Sequence, residues 1–111
     1  MMIFKKGVNP IGVQYQIWYA LGVMEMLFRA NSATMIITSL TDGTHMVGSK
    51  HPLGLAVDIR SKHIPTDLLL TVFHAIKRTL DPLGYDTIIE KDHLHLEFDP
   101  KYDEIFSLEV D

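Results

Sequence analysis

The segment of residues 85–98, YDTIIEKDHLHLEF, decides the fold of this chain. It holds two β-type runs, residues 85–90 and 93–98, separated only by Lys91 and Asp92. In the second run, apolar residues alternate with histidines and a glutamate, which is typical of a strand buried on one face. We therefore expect a hairpin whose leucines face the core, while His93, His95 and Glu97 face the other side.

The rest of the chain predicts two helices and two further strands. Apolar residues recur every three or four positions from Val13 to about residue 30, and again over residues 65–80, which indicates two amphipathic helices. Residues 34–39 and 54–60 have the β-branched and apolar character of buried strands. The first twelve residues contain Gly7, Pro10 and Gly12, so we expect an irregular lead-in.

These elements predict an α+β fold within one domain, residues 1–111. Two helices should cover one face of a small, mostly antiparallel sheet, which leaves the other face uncovered. Residues 40–53 form a long connection between the two predicted strands, and such loops are often functional. The tail, residues 101–111, has four apolar residues and is expected to be a last packing segment.

Composition narrows the function classes. The chain has no cysteine, so His, Asp and Glu are the plausible protein ligands for a metal. The formal net charge of −4 and the lack of a Lys/Arg cluster argue against a nucleic-acid partner. No signal peptide or membrane span is apparent, so we expect a protein made in the cytoplasm, with no membrane partner and monomeric.

Histidine and aspartate placement points to a metal. Asp58 lies inside an apolar strand pattern, where a carboxylate is costly unless a cation or hydrogen-bond donors satisfy it. Two histidines lie in the long loop and two more share one face of the last predicted strand. Three His/Asp ligands and one water are the arrangement of a catalytic zinc site. We expect this zinc site on the face of the sheet that the helices leave uncovered. His63 and His74 are expected to be ordinary surface residues.

Residues 49–58, SKHPLGLAVD, fit the pattern S-x-H-x-x-G-x-A-x-D, and His93-Leu94-His95 follows downstream. This joint pattern resembles the zinc peptidases that include D-alanyl-D-alanine carboxypeptidases, L-alanyl-D-glutamate endopeptidases of phage endolysins, and the hedgehog-type zinc domain. The resemblance covers about residues 34–98. Gly54 would permit a tight backbone bend, Ala56 would leave room for the metal, and Ser49 would hydrogen-bond near the ligands.

The resemblance implies that His51, Asp58 and His95 bind zinc. It also implies that Asp92, three residues ahead of the last ligand, is the general base, with His93 beside the water or substrate. A second register stays open, because Glu90 stands three residues ahead of His93. In that register His93 is the ligand and Glu90 is the base.

The implied activity is metal-assisted hydrolysis of a peptide bond in a peptidoglycan stem peptide, by a phage or prophage enzyme that acts on the cell wall. Relatives often have Thr-Ser-Gly-x-Arg at the first strand, and this chain has TSLTD at residues 38–42. Two alternatives stay open: Arg60, Lys62 or His45 replaces this arginine, or the substrate is bound differently. The absent arginine favours an L-alanyl-D-glutamate endopeptidase over a D-Ala-D-Ala carboxypeptidase, because guanidinium binds terminal carboxylates well. The alternative is a zinc-binding phage structural or binding domain without turnover.

Overall fold

The computed structural model describes residues 1–43 and 48–100. Within these residues one sheet contains five strands in the order β1-β2-β3-β5-β4. The strands are β1 Met2–Phe4, β2 Met35–Ser39, β3 Ala56–Arg60, β4 Tyr85–Ile89 and β5 His93–Phe98. β1 is parallel to β2, and the other neighbouring pairs are antiparallel.

Two helices, α1 Tyr15–Ala30 and α2 Thr66–Leu80, cover one face of this sheet, and a short 3-10 turn, Asp81–Leu83, follows α2. Their apolar stripes form a single core with alternate residues of the central strands. The core side chains with almost no exposure include Phe28, Ile37, Ile59, Ile76, Leu94 and Leu96. The predicted α+β class, with two helices on one face, is confirmed.

The predicted hairpin is also confirmed. β4 and β5 pair in the register Tyr85↔Phe98 to Ile89↔Leu94, and the Glu90 backbone N–H donates to His93 O at 2.8 Å. Lys91 and Asp92 are therefore the two residues of the loop. Leu94 and Leu96 are buried against the helices, so His93, His95 and Glu97 lie on the opposite, open face.

The prediction of an irregular lead-in was wrong at residues 2–4 and confirmed for residues 5–12. Met2–Phe4 forms an edge strand paired in parallel with Met35–Ile37 of β2. Three residues are too few to show a period, and the pairing partner lies more than thirty residues away. This strand therefore forms because of its tertiary contact with β2, and not because of a local sequence pattern.

Smaller differences concern element ends. α1 begins at Tyr15 rather than Val13, because Gln14 is still extended, and β3 begins at Ala56 rather than Gly54. The tail at residues 101–111 lies outside the described residues. In the part of the chain that is described, neither helix is long and apolar enough to cross a membrane.

Candidate metal centre

The register between β3 and β5 places two of the predicted ligands directly opposite each other. Asp58 pairs with His95, and Arg60 pairs with His93. Directly opposed residues on one face of an antiparallel sheet have side chains in contact. The His95 Nδ1 atom accordingly lies 2.9 Å from Asp58 Oδ1.

His51 reaches the same carboxylate from the loop before β3. Its Nε2 lies 3.2 Å from Asp58 Oδ2, and its Nδ1 lies 2.7 Å from the Leu40 carbonyl oxygen. Since a carbonyl can only accept, Nδ1 carries the proton, and the Nε2 lone pair is directed at the centre. A histidine held through its other nitrogen in this way is oriented as a metal ligand usually is. Ser49 Oγ accepts a hydrogen bond from the His51 backbone N–H at 3.2 Å, next to the ligands as predicted.

Gly54 makes the turn that carries the chain from His51 into β3. Its φ is +73°, and its N–H donates to His51 O at 3.0 Å. A Cβ at this position would lie 1.9 Å from the Gly12 carbonyl oxygen. The reason predicted for Gly54 is therefore confirmed, and the obstructing neighbour is the backbone of the lead-in.

His51, Asp58 and His95 form a group that could bind a metal ion. Each offers one ligand atom, and these atoms all lie within 4.8 Å of one another. Ala56 is fully buried and lies two residues before Asp58 on β3, so both side chains are on the same face of the sheet. A larger side chain at position 56 would occupy space next to the metal-binding group. His51 is buried, whereas Asp58 and His95 are partly exposed, so the group is open on one side.

The electrostatics of the group suit a cation. Burial by itself raises the pKa of the Asp58 carboxyl, but its close contacts with the His51 and His95 rings outweigh burial and hold the pKa well below its usual range. The carboxylate is therefore ionised at neutral pH. The hydrogen bond to Asp58 raises the pKa of His95 to about 9, against the opposing effect of burial. Without a metal, the proton on His95 supplies the positive charge that the carboxylates require.

Glu97 was not predicted as part of this site. Its Oε1 lies 2.9 Å from His95 Nε2, so both ring nitrogens of His95 face carboxylate oxygens. The alternation of β5 already placed Glu97 on the open face. No pattern in the sequence distinguished a side chain that touches His95 from one that points into solvent.

Asp92 and His93 form a second pair beside the metal-binding group. Asp92 Oδ1 lies 2.8 Å from His93 Nδ1, and His93 Nε2 lies 3.7 Å from Asp58 Oδ1. The hydrogen bond from His93 lowers the pKa of Asp92, so the carboxylate accepts and Nδ1 donates. The remaining nitrogen, Nε2, can then exchange a proton at the edge of the centre.

The structure distinguishes the two predicted assignments, His95 as ligand with Asp92 as base and His93 as ligand with Glu90 as base. The metal-binding group contains His95 rather than His93. Glu90 is exposed at the end of the hairpin, and within residues 1–43 and 48–100 its side chain makes no hydrogen bond or ion pair. The geometry thus favours the register with His95 as ligand, while the role of Asp92 or Glu90 as base stays a prediction.

The other histidines lie away from the centre. His63 Nε2 lies 2.8 Å from the Thr34 carbonyl oxygen, and His74 is exposed on α2 beside Phe73. Both agree with the surface positions predicted for them. His45 lies outside the described residues.

Comparison with known proteins gave no match to a family model, to a curated protein or to a solved structure.

Proposed function

We propose that this chain is a zinc-dependent peptidase that hydrolyses a bond in the stem peptides of bacterial peptidoglycan. The observation that supports this best is the grouping of His51, Asp58 and His95, whose ligand atoms lie within 4.8 Å of one another. These residues were singled out by the S-x-H-x-x-G-x-A-x-D pattern and the downstream His-x-His. The motif indicates His51, Asp58 and one histidine of the His-x-His pair, and the grouping in the structure contains His95 of that pair.

Zinc is the proposed metal because it favours four-coordinate sites of imidazole and carboxylate ligands. When bound, zinc would supply a Lewis acid that polarises a carbonyl and lowers the pKa of water toward ~7. Two histidines and one carboxylate are also the ligand set of non-haem iron(II) oxygenases. Metal analysis of the purified protein separates these two chemistries.

The Asp92–His93 pair is proposed to handle the proton during hydrolysis. Asp92 holds His93 with Nδ1 protonated, which leaves Nε2 as the acceptor nearest to Asp58. In this arrangement His93 takes a proton from the attacking water and returns it to the leaving amine. In this proposal Asp92 orients His93 and stabilises the imidazolium that forms, whereas the sequence had predicted Asp92 itself as the base.

An L-alanyl-D-glutamate bond is the favoured target. Where relatives have the carboxylate-binding arginine, this chain has Asp42, and its Oδ1 accepts hydrogen bonds from the backbone N–H groups of Asn9 and Leu40. A carboxylate fixed in this loop would repel a terminal carboxylate at that position. An internal bond in the stem peptide meets no such repulsion.

The test is a mass-spectrometric analysis of purified peptidoglycan after incubation with the protein. We expect new amino termini at D-glutamate, absent with His51→Ala and retained with His74→Ala, the matched surface histidine. Release of free D-alanine from intact stems would overturn the preference for the endopeptidase. A protein that holds its metal and cleaves neither bond would support the structural or binding alternative instead.

A further inference from the structure

An open cavity of ≈480 Å³ lies beside the metal-binding group, on the same face of the sheet. Asp58 and His93 line both the cavity and the centre, and Thr38 of β2 also lines the cavity. Its volume is in the range of sites for small ligands. A ligand in this cavity would be adjacent to any group bound at the centre.

Three cations line this cavity, although the chain as a whole has a net charge of −4. Lys5 follows β1, Arg60 ends β3, and Lys62 lies in the loop after it. Among the described residues, none of these three side chains makes a hydrogen bond or an ion pair within 4 Å. The cavity thus offers three cationic groups to a ligand.

The two carboxylates at the cavity both contact histidines, and Asp92 also interacts electrostatically with Lys62. Asp92 accepts a hydrogen bond from His93, and Asp58 is held by His51 and His95. Arg60 is directly opposite His93 in the pairing of β3 with β5. Of the three cations, Arg60 is therefore the one whose backbone position is fixed next to a residue of the centre. Lys5 was missed by sequence reasoning because the lead-in was not expected to join the sheet.

We infer that this cavity binds the free α-carboxylate of a D-glutamate residue in the substrate, with Arg60 as the main partner and Lys5 and Lys62 as supporting charges. This inference rests on the proposed peptidase function and names the feature of the substrate that the protein recognises. Arginine presents a fork of donors that matches a carboxylate, and charge-assisted hydrogen bonds of this kind are strong. Binding of the carboxylate there positions the neighbouring peptide bond at the centre.

A binding measurement tests the cavity independently of hydrolysis. The γ-methylamide of N-acetyl-D-glutamate and its α-amide differ only in the free carboxylate, and each is titrated into the full-length metal-loaded protein by NMR. We expect the acid to bind roughly tenfold more tightly than the amide or better. Arg60→Gln should abolish that difference, whereas Arg78→Gln, an exposed arginine on α2, should retain it.

Further ligands distinguish other anions. N-acetyl-D-alanine presents a terminal carboxylate, and inorganic phosphate presents an anion without a peptide. Tighter binding of either one than of the D-glutamate acid would overturn the inference. Equal binding of acid and amide by the wild-type protein would also overturn it.

Hydrolysis of two stem peptides, with D-glutamate free or α-amidated, separates the cavity from the peptidase function. We expect kcat/KM to favour the free acid by about tenfold or more, and Arg60→Gln to bring the two values close together. Acid-selective binding without cleavage of either peptide would support the cavity and refute the peptidase. Cleavage that ignores the carboxylate would support the peptidase and refute the cavity.

Discussion

Gly54 is the residue whose replacement has the most direct structural consequence. Its positive φ and the 1.9 Å approach of a Cβ to the Gly12 oxygen leave no space for a side chain. We expect Gly54→Ala to lower the free energy of unfolding by ~2 kcal/mol or more, because backbone on both sides must move. Urea denaturation measures the change.

Gly22 provides the matched control for this substitution. It lies within α1, and nothing is within 4 Å of a Cβ built there. Gly22→Ala should leave stability unchanged or raise it by up to ~1 kcal/mol, because alanine favours a helix. If both substitutions have the same small effect, the close approach at Gly54 is not a constraint on the fold.

Asp92 and His93 should act as one unit in turnover. We expect Asp92→Asn and His93→Gln each to lower kcat by about 10²-fold while the metal stays bound, because both interrupt the same proton transfer. The double variant should be little slower than either single one, since residues that act together are not additive. Steady-state kinetics with metal analysis measures both effects.

Glu90→Gln is the control for this pair, because Glu90 is exposed at the end of the hairpin. It should retain both turnover and metal. Loss of turnover in Glu90→Gln, together with loss of the metal in His93→Gln, would show that the register of the site is shifted by two residues.

His95 should make metal binding at this group depend on pH. In the metal-free protein the carboxylate of Asp58 raises the pKa of His95 to about 9, and a ligand histidine must be neutral. Metal binding must therefore displace a proton, and zinc affinity should rise about tenfold per pH unit between about pH 7 and about pH 8.5. Competition with a chelating indicator measures this slope.

Glu97→Gln tests the cause of that slope, because the hydrogen bond that His95 donates to Glu97 also raises the pKa of His95. With this carboxylate removed, the slope should be shallower and fewer protons should be released on binding. An affinity that does not change with pH would show that His95 does not lose a proton when the metal binds.

At the scale of the elements, the sequence predicted the helices and the central strands because each has its own period. α1, α2 and the hairpin of β4 and β5 lie within a few residues of their predicted positions. β1 was missed, since a strand of three residues shows no alternation and its parallel partner is distant in sequence. The absence of β1 from the prediction is also why Lys5 was not placed beside the site.

The site was predicted through the joint motif and not through any single element. His51 and Asp58 lie at fixed spacing around a glycine turn, and His95 is brought in by strand pairing. Glu97 and the cavity depend on side-chain approach across the sheet, which spacing alone does not specify. Alternation predicted the face of Glu97 but not its contact with His95.

The strand β5 contributes side chains both to the core and to the candidate metal centre, so a change in its core residues should affect the support of the site. Leu94 is 1% exposed and lies between His93 and His95, so its truncation leaves a cavity directly under the site. We expect Leu94→Ala to lower the free energy of unfolding by about 3 kcal/mol.

Thermal denaturation measures this loss, and Leu83→Ala is the control at a leucine that is 52% exposed. The control should change stability by less than about 0.5 kcal/mol, and equal losses would contradict this packing.

At the scale of the whole molecule, the two faces of the sheet have different roles, one in the hydrophobic core and one at the candidate site. One face buries the apolar side chains beneath two helices, and the other presents the metal-binding group, the Asp92–His93 pair and the cationic cavity. The net charge of −4 does not describe this open face, where Lys5, Arg60 and Lys62 are concentrated. The proposed anionic ligand therefore rests on the local charge of the cavity and not on the overall charge.

The most direct test of this account is the zinc content of the purified full-length protein, measured by elemental analysis. We expect close to one zinc per chain, because a single group of His51, Asp58 and His95 is present among the described residues. His51→Ala should lose the zinc, and His74→Ala should keep it. A folded wild-type protein that contains no zinc and binds none when it is supplied would contradict the account.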